Sequence, residues 1–268
     1  MDILKIIIAG FLFAVIVSCS SSEMVVSNSV DKDIVIDGNH EEWSGKLKYY
    51  EDKRVALGFQ NDDKNLYLCL VSSNRAIAMK IMTFGLTVWF EPENEVSSMG
   101  LRYPIRNENV TSQRLMGTKR DNQQYSDFEL KVDAMMQTQS EFNLIDENEE
   151  IIFAAPIISN NGFEIKISSV NQQFVYEARV PIGDNNLAQI PLNIYPNERI
   201  AIRLETGEVD MDKMRESGEM NQTGMGKGSG GNKSGRSRGD GMHGSRRGSS
   251  SQIGSERLDF EVEVKLSQ

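Results

Sequence analysis

Apolar and polar residues alternate along much of the chain, and this period of two is typical of half-buried β-strands. Residues 54–59, 199–206 and 258–266 alternate in this way, whereas 66–71 are apolar at every position. The uninterrupted run predicts a central strand, because both of its faces would be covered by other residues. Similar patterns predict further strands at 86–90, 100–104 and 150–155, and a hairpin formed by 162–168 and 174–180.

The stretch 33–43 opens the predicted domain. Its β-branched run from Ile34 to Ile36 is followed by Asp37-Gly38, a dipeptide that tolerates the positive φ of a tight turn. An acidic step then leads to Trp43, one of two tryptophans in the chain. We interpret this stretch as the first strand and corner of the fold.

Only one segment has a clear helical pattern. Residues 75–83 place Ile77, Ile81 and Met82 on one face, and Gly85 follows as a helix terminator. Residues 128–136 fit either a strand or a helix, and the polar residues 106–126 predict a loop. About nine strands, one short helix and no regular alternation of strands with helices predict an all-β fold, an antiparallel β-sandwich.

The composition changes between residues 216 and 254, where Gly, Ser and Arg dominate and Met is almost the only apolar residue. Such a segment cannot bury enough apolar surface to offset the entropy lost on ordering, so we predict that it is disordered. The clearest strand, 258–266, comes after it. We therefore predict a long disordered loop between two paired strands, since the entropy cost of closing a loop grows only slowly with its length.

The N-terminus has the pattern of an export signal. The apolar run at 6–17 follows Lys5 and is shorter than the roughly 20 residues that span a bilayer. Ile16-Val17-Ser18-Cys19 resembles the lipobox of bacterial lipoproteins, which implies cleavage before Cys19 and lipidation of its sulfur. An ordinary secretory signal and an N-terminal transmembrane helix are the alternatives.

These features predict three parts. Residues 1–18 are a lipoprotein signal peptide, 19–29 are the lipidated Cys19 and a flexible tether, and 30–268 are the sandwich with its loop at 216–254. We predict that the protein is exported to the bacterial cell envelope and that the lipid on Cys19 anchors it to a membrane.

Charge and reactive residues exclude several functions. The net charge is −10, although residues 211–257 hold nine Lys or Arg and five Asp or Glu, so the rest of the chain is strongly acidic. We do not expect such a body to bind nucleic acid. Cys69 has no disulfide partner if Cys19 carries lipid, and its apolar neighbours predict a buried thiol. Two His and no Cys cluster give no zinc spacing, and no pattern nominates a catalytic group, so we predict a non-enzyme.

Three motifs together resemble a family 9 carbohydrate-binding module, the cellulose/xylan-binding or DOMON-like sandwich. They are I-V-I-D-G-N-H-E-E-W at 34–43, G-L-T-V-W-F at 85–90 and Y-E-A-R-V-P-I at 176–182. The resemblance covers roughly residues 30–268, and the Gly-rich loop departs from it. It implies a β-sandwich that binds the ends of sugar chains between aromatic side chains, often with structural calcium.

The resemblance also implies where a sugar would bind. In sugar-binding members two tryptophans clamp the ring, and Trp89 is the candidate for one of them. Trp43 belongs to the opening motif and is expected to pack in the core, which leaves Tyr49, Tyr50 and Tyr103 as substitutes for the second clamp. Calcium would need clustered oxygen ligands. Solvated turns are the simpler interpretation of the available carboxylates, so we predict no cofactor and leave structural calcium open at Asp31, Asp33, Asp37, Asp62 and Asp63.

We therefore predict a lipid-anchored, non-catalytic carbohydrate-binding module of the cell envelope, with a glycan as its partner. The alternative is a structural or protein-interaction sandwich of an envelope complex that has lost the sugar site, which the missing second tryptophan and the basic loop favour. A haem-binding DOMON-like domain ranks third, because it needs His or Met ligands and the two His, His40 and His243, lie outside the predicted strands.

Overall fold

A computed structural model of the chain describes residues 24–30, 34–95, 97–106, 126–157, 161–184, 190–207 and 258–268. These residues form an all-β sandwich in which two sheets enclose an apolar core, so the predicted fold class is confirmed. The predictions for the signal peptide, Cys19, the loop at 216–254 and most of the loop at 106–126 lie outside the described residues.

Seven strands form the first sheet, called sheet A. They are β1 (Met24–Val26), β6 (Leu86–Pro92), β7 (Met99–Arg102), β8 (Glu141–Ile145), β9 (Ile151–Pro156), β12 (Arg199–Thr206) and β13 (Asp259–Lys265). Their order across the sheet is β1-β13-β12-β6-β7-β8-β9. All neighbours are antiparallel except β1 and β13, which are parallel.

Six strands form the second sheet, called sheet B. They are β2 (Asn28–Ser29), β3 (Lys48–Tyr50), β4 (Val55–Asn61), β5 (Asn65–Ser72), β10 (Glu164–Val170) and β11 (Gln173–Pro181). The order is β10-β11-β5-β4-β2, and β3 also pairs with β4. β5 has a partner on each side, as its uninterrupted apolar run predicted.

The core lies between the two sheets and follows the alternation of the sequence. In β12, Ile200, Ile202 and Leu204 are fully buried, while Arg199 and Arg203 project from the opposite face. Burial of each such aliphatic side chain contributes about 1.5–3 kcal/mol relative to an exposed one. The sandwich is thus held by its apolar interior, as expected of a fold whose Cys69 is a free thiol.

Two α-helices accompany the sheets. α1 (Arg75–Phe84) confirms the predicted helix, with the Asn74 side chain accepting from the N–H of Ala76 at 2.9 Å and Gly85 ending the helix at a φ of 85°. α2 (Ser126–Met136) decides the ambiguous segment in favour of a helix, because Phe128 and Val132 lie one turn apart and are both buried. None of the described helices is long and apolar enough to cross a bilayer.

The two strands that flank the low-complexity segment pair with each other. β12 and β13 are antiparallel, and their register places Arg199 opposite Lys265 and Glu205 opposite Asp259. This confirms that the segment joins two paired strands and is not a C-terminal tail.

The prediction that residues 34–36 form the first strand is wrong. They make no strand pairing. Instead Ile34 and Ile36 pack with Trp43 on the outer face of sheet B, and Val35 is exposed. A β-branched run favours an extended backbone, and an extended segment need not pair with another strand. Here the segment covers a sheet face, and the predicted turn follows at Gly38 with a φ of 84°.

The predicted tether is wrong for residues 24–29, because these residues form β1 and β2. β1 pairs in sheet A and β2 in sheet B, and buried Ser27 lies between them. The N–H of Ser27 donates to the carbonyl of Lys265 at 2.9 Å, and its hydroxyl donates to Asn61. The segment therefore adds an edge strand to each sheet, and the domain begins before residue 30.

The described residues contain thirteen strands and two α-helices, more than the nine strands and one helix expected. The sheets are also mixed, since β1–β13 and β2–β4 are parallel pairs. Three of the unpredicted strands, β1, β2 and β3, have two or three residues, which is too short for alternation to be recognised. The fourth, β8, has five residues, of which the last four are all buried, so it does not alternate.

Candidate functional site

A cleft of about 560 Å³ lies on the outer face of sheet A. We call it the cleft. Its polar and aromatic lining consists of Thr87, Trp89, Arg102, Asn143, Glu149 and Glu205. Phe84, Gly85, Ile105, Arg106, Ile151 and Gly207 complete its rim. It is thus an aromatic ring surrounded by charged and amide groups.

Strand register brings these residues together from distant parts of the chain. Thr87 lies opposite Glu205 on one side and Arg102 on the other, and Arg102 lies opposite Asn143. The four side chains form one row across β12, β6, β7 and β8. Because they stand on paired strands, their spacing is held by the sheet and not by a mobile loop.

Trp89 is directed away from the core. Leu86, Val88 and Phe90 of the same strand are core residues, so the residues between them project from the outer face. One neighbour of Trp89 is Gly100, where an added Cβ would lie 2.6 Å from Cγ1 of Ile145. The side chains of Ile145 and Thr87 fill the space beside Gly100, and the indole forms part of the cleft wall.

Arg203 covers one face of the Trp89 indole. Its guanidinium carbon lies 5.2 Å from the ring centroid, in cation–π geometry. Arg203 also pairs with Glu205 and, at 3.5 Å, with Glu91. The indole N–H donates to Oε2 of Glu205 at 3.2 Å. As a result Trp89 is only 4% exposed, and its ring is not an open platform in the unbound protein.

Arg102 connects the floor of the cleft to its rim. Its Nε donates to the Thr87 hydroxyl at 3.3 Å, and its Nη2 donates to Oε2 of Glu149 at 2.7 Å. The two carboxylates of the cleft, on Glu149 and Glu205, are thus each paired with an arginine. Ionised carboxylates and guanidinium groups supply fixed acceptors and donors, and such pairs orient polar ligands.

The structure separates the other predicted ligand residues from Trp89, and the consecutive residues Tyr49 and Tyr50 project from opposite faces of β3. Tyr49 is 62% exposed on β3, in the other sheet. Tyr50 packs against Phe260 with ring centroids 5.5 Å apart. Tyr103 is buried, its hydroxyl donates to the sulfur of Met136 at 3.6 Å, and burial raises its pKa to about 12. These four aromatic residues therefore do not form a single clamp.

Trp43 packs in the interior, as expected from its place in the opening motif. Its ring is fully buried with Cys69 and Val175, and its indole N–H donates to Oε1 of Glu177 at 2.7 Å. Glu177 also accepts from the N–H of Gly38 at 2.7 Å. Burial raises the pKa of the Glu177 carboxyl to about 7, against these two donors, which favour the ionised form.

Two of the described calcium candidates, Asp37 and Asp62, act as turn caps. Asp37 accepts from the N–H of Asn39 at 2.7 Å, and Asp62 accepts from the N–H groups of Lys64 and Asn65 at 2.7 Å and from the Tyr67 hydroxyl at 2.8 Å. Among the described residues, no group of three His, Cys, Asp or Glu has metal-binding geometry. Asp31 and Asp33 lie outside the described residues.

Cys69 is the buried thiol that its neighbours predicted. It is fully buried, and burial together with the nearby Glu177 raises its pKa well above the ordinary value. A thiol in this state is unreactive, since the thiolate is the nucleophile. Cys19, the predicted lipid anchor, lies outside the described residues.

Sequence reasoning named Trp89, which lines the cleft, but it did not name Arg102, Asn143, Glu205 or Arg203. Arg203 and Glu205 occupy outward positions of the alternating strand β12, and that pattern was the available signal for them. Arg102 and Asn143 lie on β7 and β8, which do not alternate. The pattern states which face a residue occupies. It does not state which strands are neighbours, and only that information places these residues around one tryptophan.

No protein-family profile matches the chain, and no curated protein matches it significantly. Among solved structures, it is similar to a family 9 carbohydrate-binding module from Caldicellulosiruptor kristjanssonii in complex with glucose. That alignment has 10% identity and a TM-score of 0.35, and it covers 71% of this chain and 81% of the module. The same kind of module in complex with cellotriose has 12% identity and a TM-score of 0.33, with 71% and 79% covered.

A protein from Bacteroides uniformis that is proposed to bind carbohydrate is also similar. It has 8% identity and a TM-score of 0.37, and the alignment covers 69% of this chain and 84% of that protein. All three likenesses are distant, and the function proposed below rests on the geometry of the cleft.

Proposed function

We propose that the cleft binds a carbohydrate and that the protein is a non-catalytic glycan-binding module. The observation that carries this proposal is the convergence of Trp89, Arg102, Asn143, Glu149 and Glu205 in one concave site on paired strands. A ligand site is usually a preformed depression with a small number of placed polar groups, and the cleft has these properties.

The chemistry of the cleft suits sugar hydroxyls. Each hydroxyl donates one hydrogen bond and accepts others, so it pairs equally well with a carboxylate, a guanidinium or an amide. Arg102 offers donors, Glu149 and Glu205 offer acceptors, and the amide of Asn143 offers both. The exposed side chain of Ile151, at 58% exposure, adds an apolar surface at the rim for the C–H face of a sugar ring.

The ion pairs in the cleft fit a binding role. A guanidinium beside a carboxylate fixes the orientation of the carboxylate oxygens. Glu149 and Glu205 each contact an arginine at hydrogen-bond distance. Their oxygens would therefore be held in place as acceptors for hydroxyl groups.

The covered indole defines what Trp89 would contribute. With Arg203 on one face and 4% exposure, Trp89 would be a rigid part of the wall, and the polar groups would make most of the contacts. Contacts of this kind are directional and exchange with water, which predicts modest affinity. If Cys19 is lipidated, the cleft would be held at a membrane surface of the cell envelope.

A glycan array followed by isothermal titration calorimetry tests this function. The array selects the sugar, and calorimetry then compares the parent protein with Arg102→Ala and Arg199→Ala. Both arginines are partly exposed on sheet A, but Arg199 pairs with Glu263 away from the cleft. We expect R102A to weaken binding roughly tenfold or more, because a charge-assisted hydrogen bond is lost, and R199A to bind like the parent.

Failure of the proposal would be equally clear. If no glycan on the array binds, or if R102A and R199A bind alike, the cleft is not the sugar site. The protein-interaction alternative would then be the function to test, by cross-linking the anchored protein in intact cells.

A further inference from the structure

A second concave surface lies on the other sheet, at the ends of its strands. Two adjoining depressions of about 460 and 400 Å³ share Ser73 and Gln173 and therefore form one groove. We call it the amide groove. The side chains that its function would use are Tyr49, Arg54, Ser73, Asn171, Gln172 and Gln173.

The register of sheet B explains why these residues meet. Tyr49 lies opposite Ala56, Ala56 opposite Val71, and Val71 opposite Val175, so one row crosses four strands. Ala56 and Val71 form the apolar floor of the groove. Val71 and Val175 also belong to the apolar cluster around Trp43. The groove therefore borders the part of sheet B that the segment 34–47 covers.

The polar side chains around this floor are accessible. Tyr49, Arg54, Ser73, Asn171 and Gln172 are all exposed. The Tyr49 hydroxyl, the Arg54 guanidinium and the side-chain amides of Asn171 and Gln172 have no hydrogen bond or ion pair with any described residue. Gln173 makes one long contact, from Nε2 to the Ser73 hydroxyl at 3.4 Å. Most of the donors in the groove are therefore available to a ligand.

The electrostatic character of the groove differs from that of the protein. The chain has a net charge of −10, yet the described residues that line the groove include two arginines and no Asp or Glu. Arg75 is engaged, with its guanidinium carbon 5.4 Å from the ring centroid of Phe128. Arg54 is the available cation. The carboxylate of Glu129, which reaches this end of the hairpin, accepts the backbone N–H of Gln172 at 3.2 Å.

Three residues at this rim have a left-handed backbone. The φ angles are 55° at Arg54, 49° at Asn171 and 65° at Gln172. Glycine adopts this conformation without steric cost, Asn with little, and Arg or Gln only with a clear penalty. Residues that keep such a conformation cluster at functional sites. Arg54 and Gln172 keep long polar side chains at positions where glycine would cost less. This is expected if these side chains contact a ligand.

We propose that the amide groove binds a saccharide that carries a carboxylate, that is, a uronic acid unit. The Arg54 guanidinium would pair with the carboxylate in the two-pronged geometry that suits these two groups. The amides of Asn171, Gln172 and Gln173 would bind the ring hydroxyls, and the exposed Tyr49 ring would pack on the C–H face of the sugar. The groove and the cleft lie on opposite sheets, so this inference does not depend on the function proposed for the cleft.

The test uses acidic trisaccharides and their neutral derivatives. Trigalacturonate, trimannuronate and a glucuronate trisaccharide are each compared by calorimetry with their methyl esters, which keep the hydroxyls and remove the charge. We expect at least one acid to bind roughly tenfold or more tightly than its ester, since the ester cannot form the charge-assisted pair. Arg54→Gly should reduce this binding to the level of the ester, and R199A, which changes neither the groove nor the cleft, should leave it unchanged.

The control variant is Asn197→Gly. Asn197 also has a left-handed backbone, with a φ of 72°, but it does not line the groove. Glycine should keep or raise the melting temperature at both positions, and only R54G should lose binding. If R54G proved unstable, Tyr49→Ala would replace it, because the Tyr49 side chain is exposed. Equal binding of every acid and its ester, or full binding by R54G and Y49A, would overturn the proposal.

Discussion

The indole N–H of Trp43 donates to Oε1 of Glu177 at 2.7 Å, although 134 residues separate them in the chain. The other oxygen of the same carboxylate accepts from the N–H of Gly38. The Ser168 hydroxyl donates to the carbonyl of Gly38, which adds β10 to the group. Two of the three motifs noted in the sequence are therefore parts of one buried hydrogen-bonded unit that attaches the segment 34–47 to sheet B.

This unit should make stability depend on pH. Burial raises the pKa of Glu177 from 4.5 to about 7 in the folded protein. Between these values the folded state keeps a proton that the unfolded state has lost, so stability should fall as pH rises from about 5 to 7 and then level off. The contribution of this one group would be up to about 3 kcal/mol.

Urea unfolding at pH 5 and pH 8 measures this effect, with Glu177→Gln as the comparison. The difference between the two proteins isolates Glu177 from other titrating groups. The parent should lose more stability between these pH values than E177Q does. An equal loss in both proteins, or a gain in the parent, would contradict the raised pKa.

Gly58 should be intolerant of even one methyl group. It lies on β4 beneath the Trp43 ring, and an added Cβ would be 2.8 Å from Cε3 of Trp43 and 3.0 Å from Cδ2 of Leu47. Overpacking of this kind costs about 1–3 kcal/mol, so Gly58→Ala should lower the melting temperature measurably. Gly45→Ala is the comparison, because nothing lies within 4 Å of its added Cβ and only its positive φ of 75° opposes the change. A melting temperature for G58A at or above that of the parent would show that the segment can move away freely.

Removal of residues 217–254 should leave the sandwich intact. The flanking strands β12 and β13 are already paired, and a short Gly/Ser joint can connect them. We expect a melting temperature within a few degrees of the parent, together with unchanged binding by the cleft. A large fall in melting temperature would mean that the removed segment packs against the sheets.

Cys19→Ala should release the protein from membranes in the producing cell. The prediction rests on the lipobox-like sequence before Cys19, because a diacylated cysteine supplies the two chains that stable anchoring needs. Cys69→Ala is the control, since Cys69 is fully buried and should not affect localisation. Fractionation followed by immunoblotting distinguishes them, and C19A that stays with the membrane fraction would refute the lipid anchor.

Much of the fold could be predicted because alternation states directly which residues are buried. Ile200, Ile202 and Leu204 were expected inside and are fully buried, and the same holds for Val262 and Val264 in β13. Helix α1 was predictable for a similar local reason, since its apolar face and Gly85 lie close together in the sequence. The sequence by itself thus determined the class of fold, most strand positions and the pairing of the two strands around the long insertion.

The sites depended on relations that local pattern does not contain. Residues 34–36 have the preferences of a strand, yet they pair with no strand and pack with Trp43 on the outer face of sheet B. Trp89 acquires Arg203 and Glu205 from a strand more than a hundred residues away. Alternation specifies the face of each side chain, but its neighbours on that face follow from the order of strands. Only the tertiary structure decided that order, because it results from the packing of the whole core.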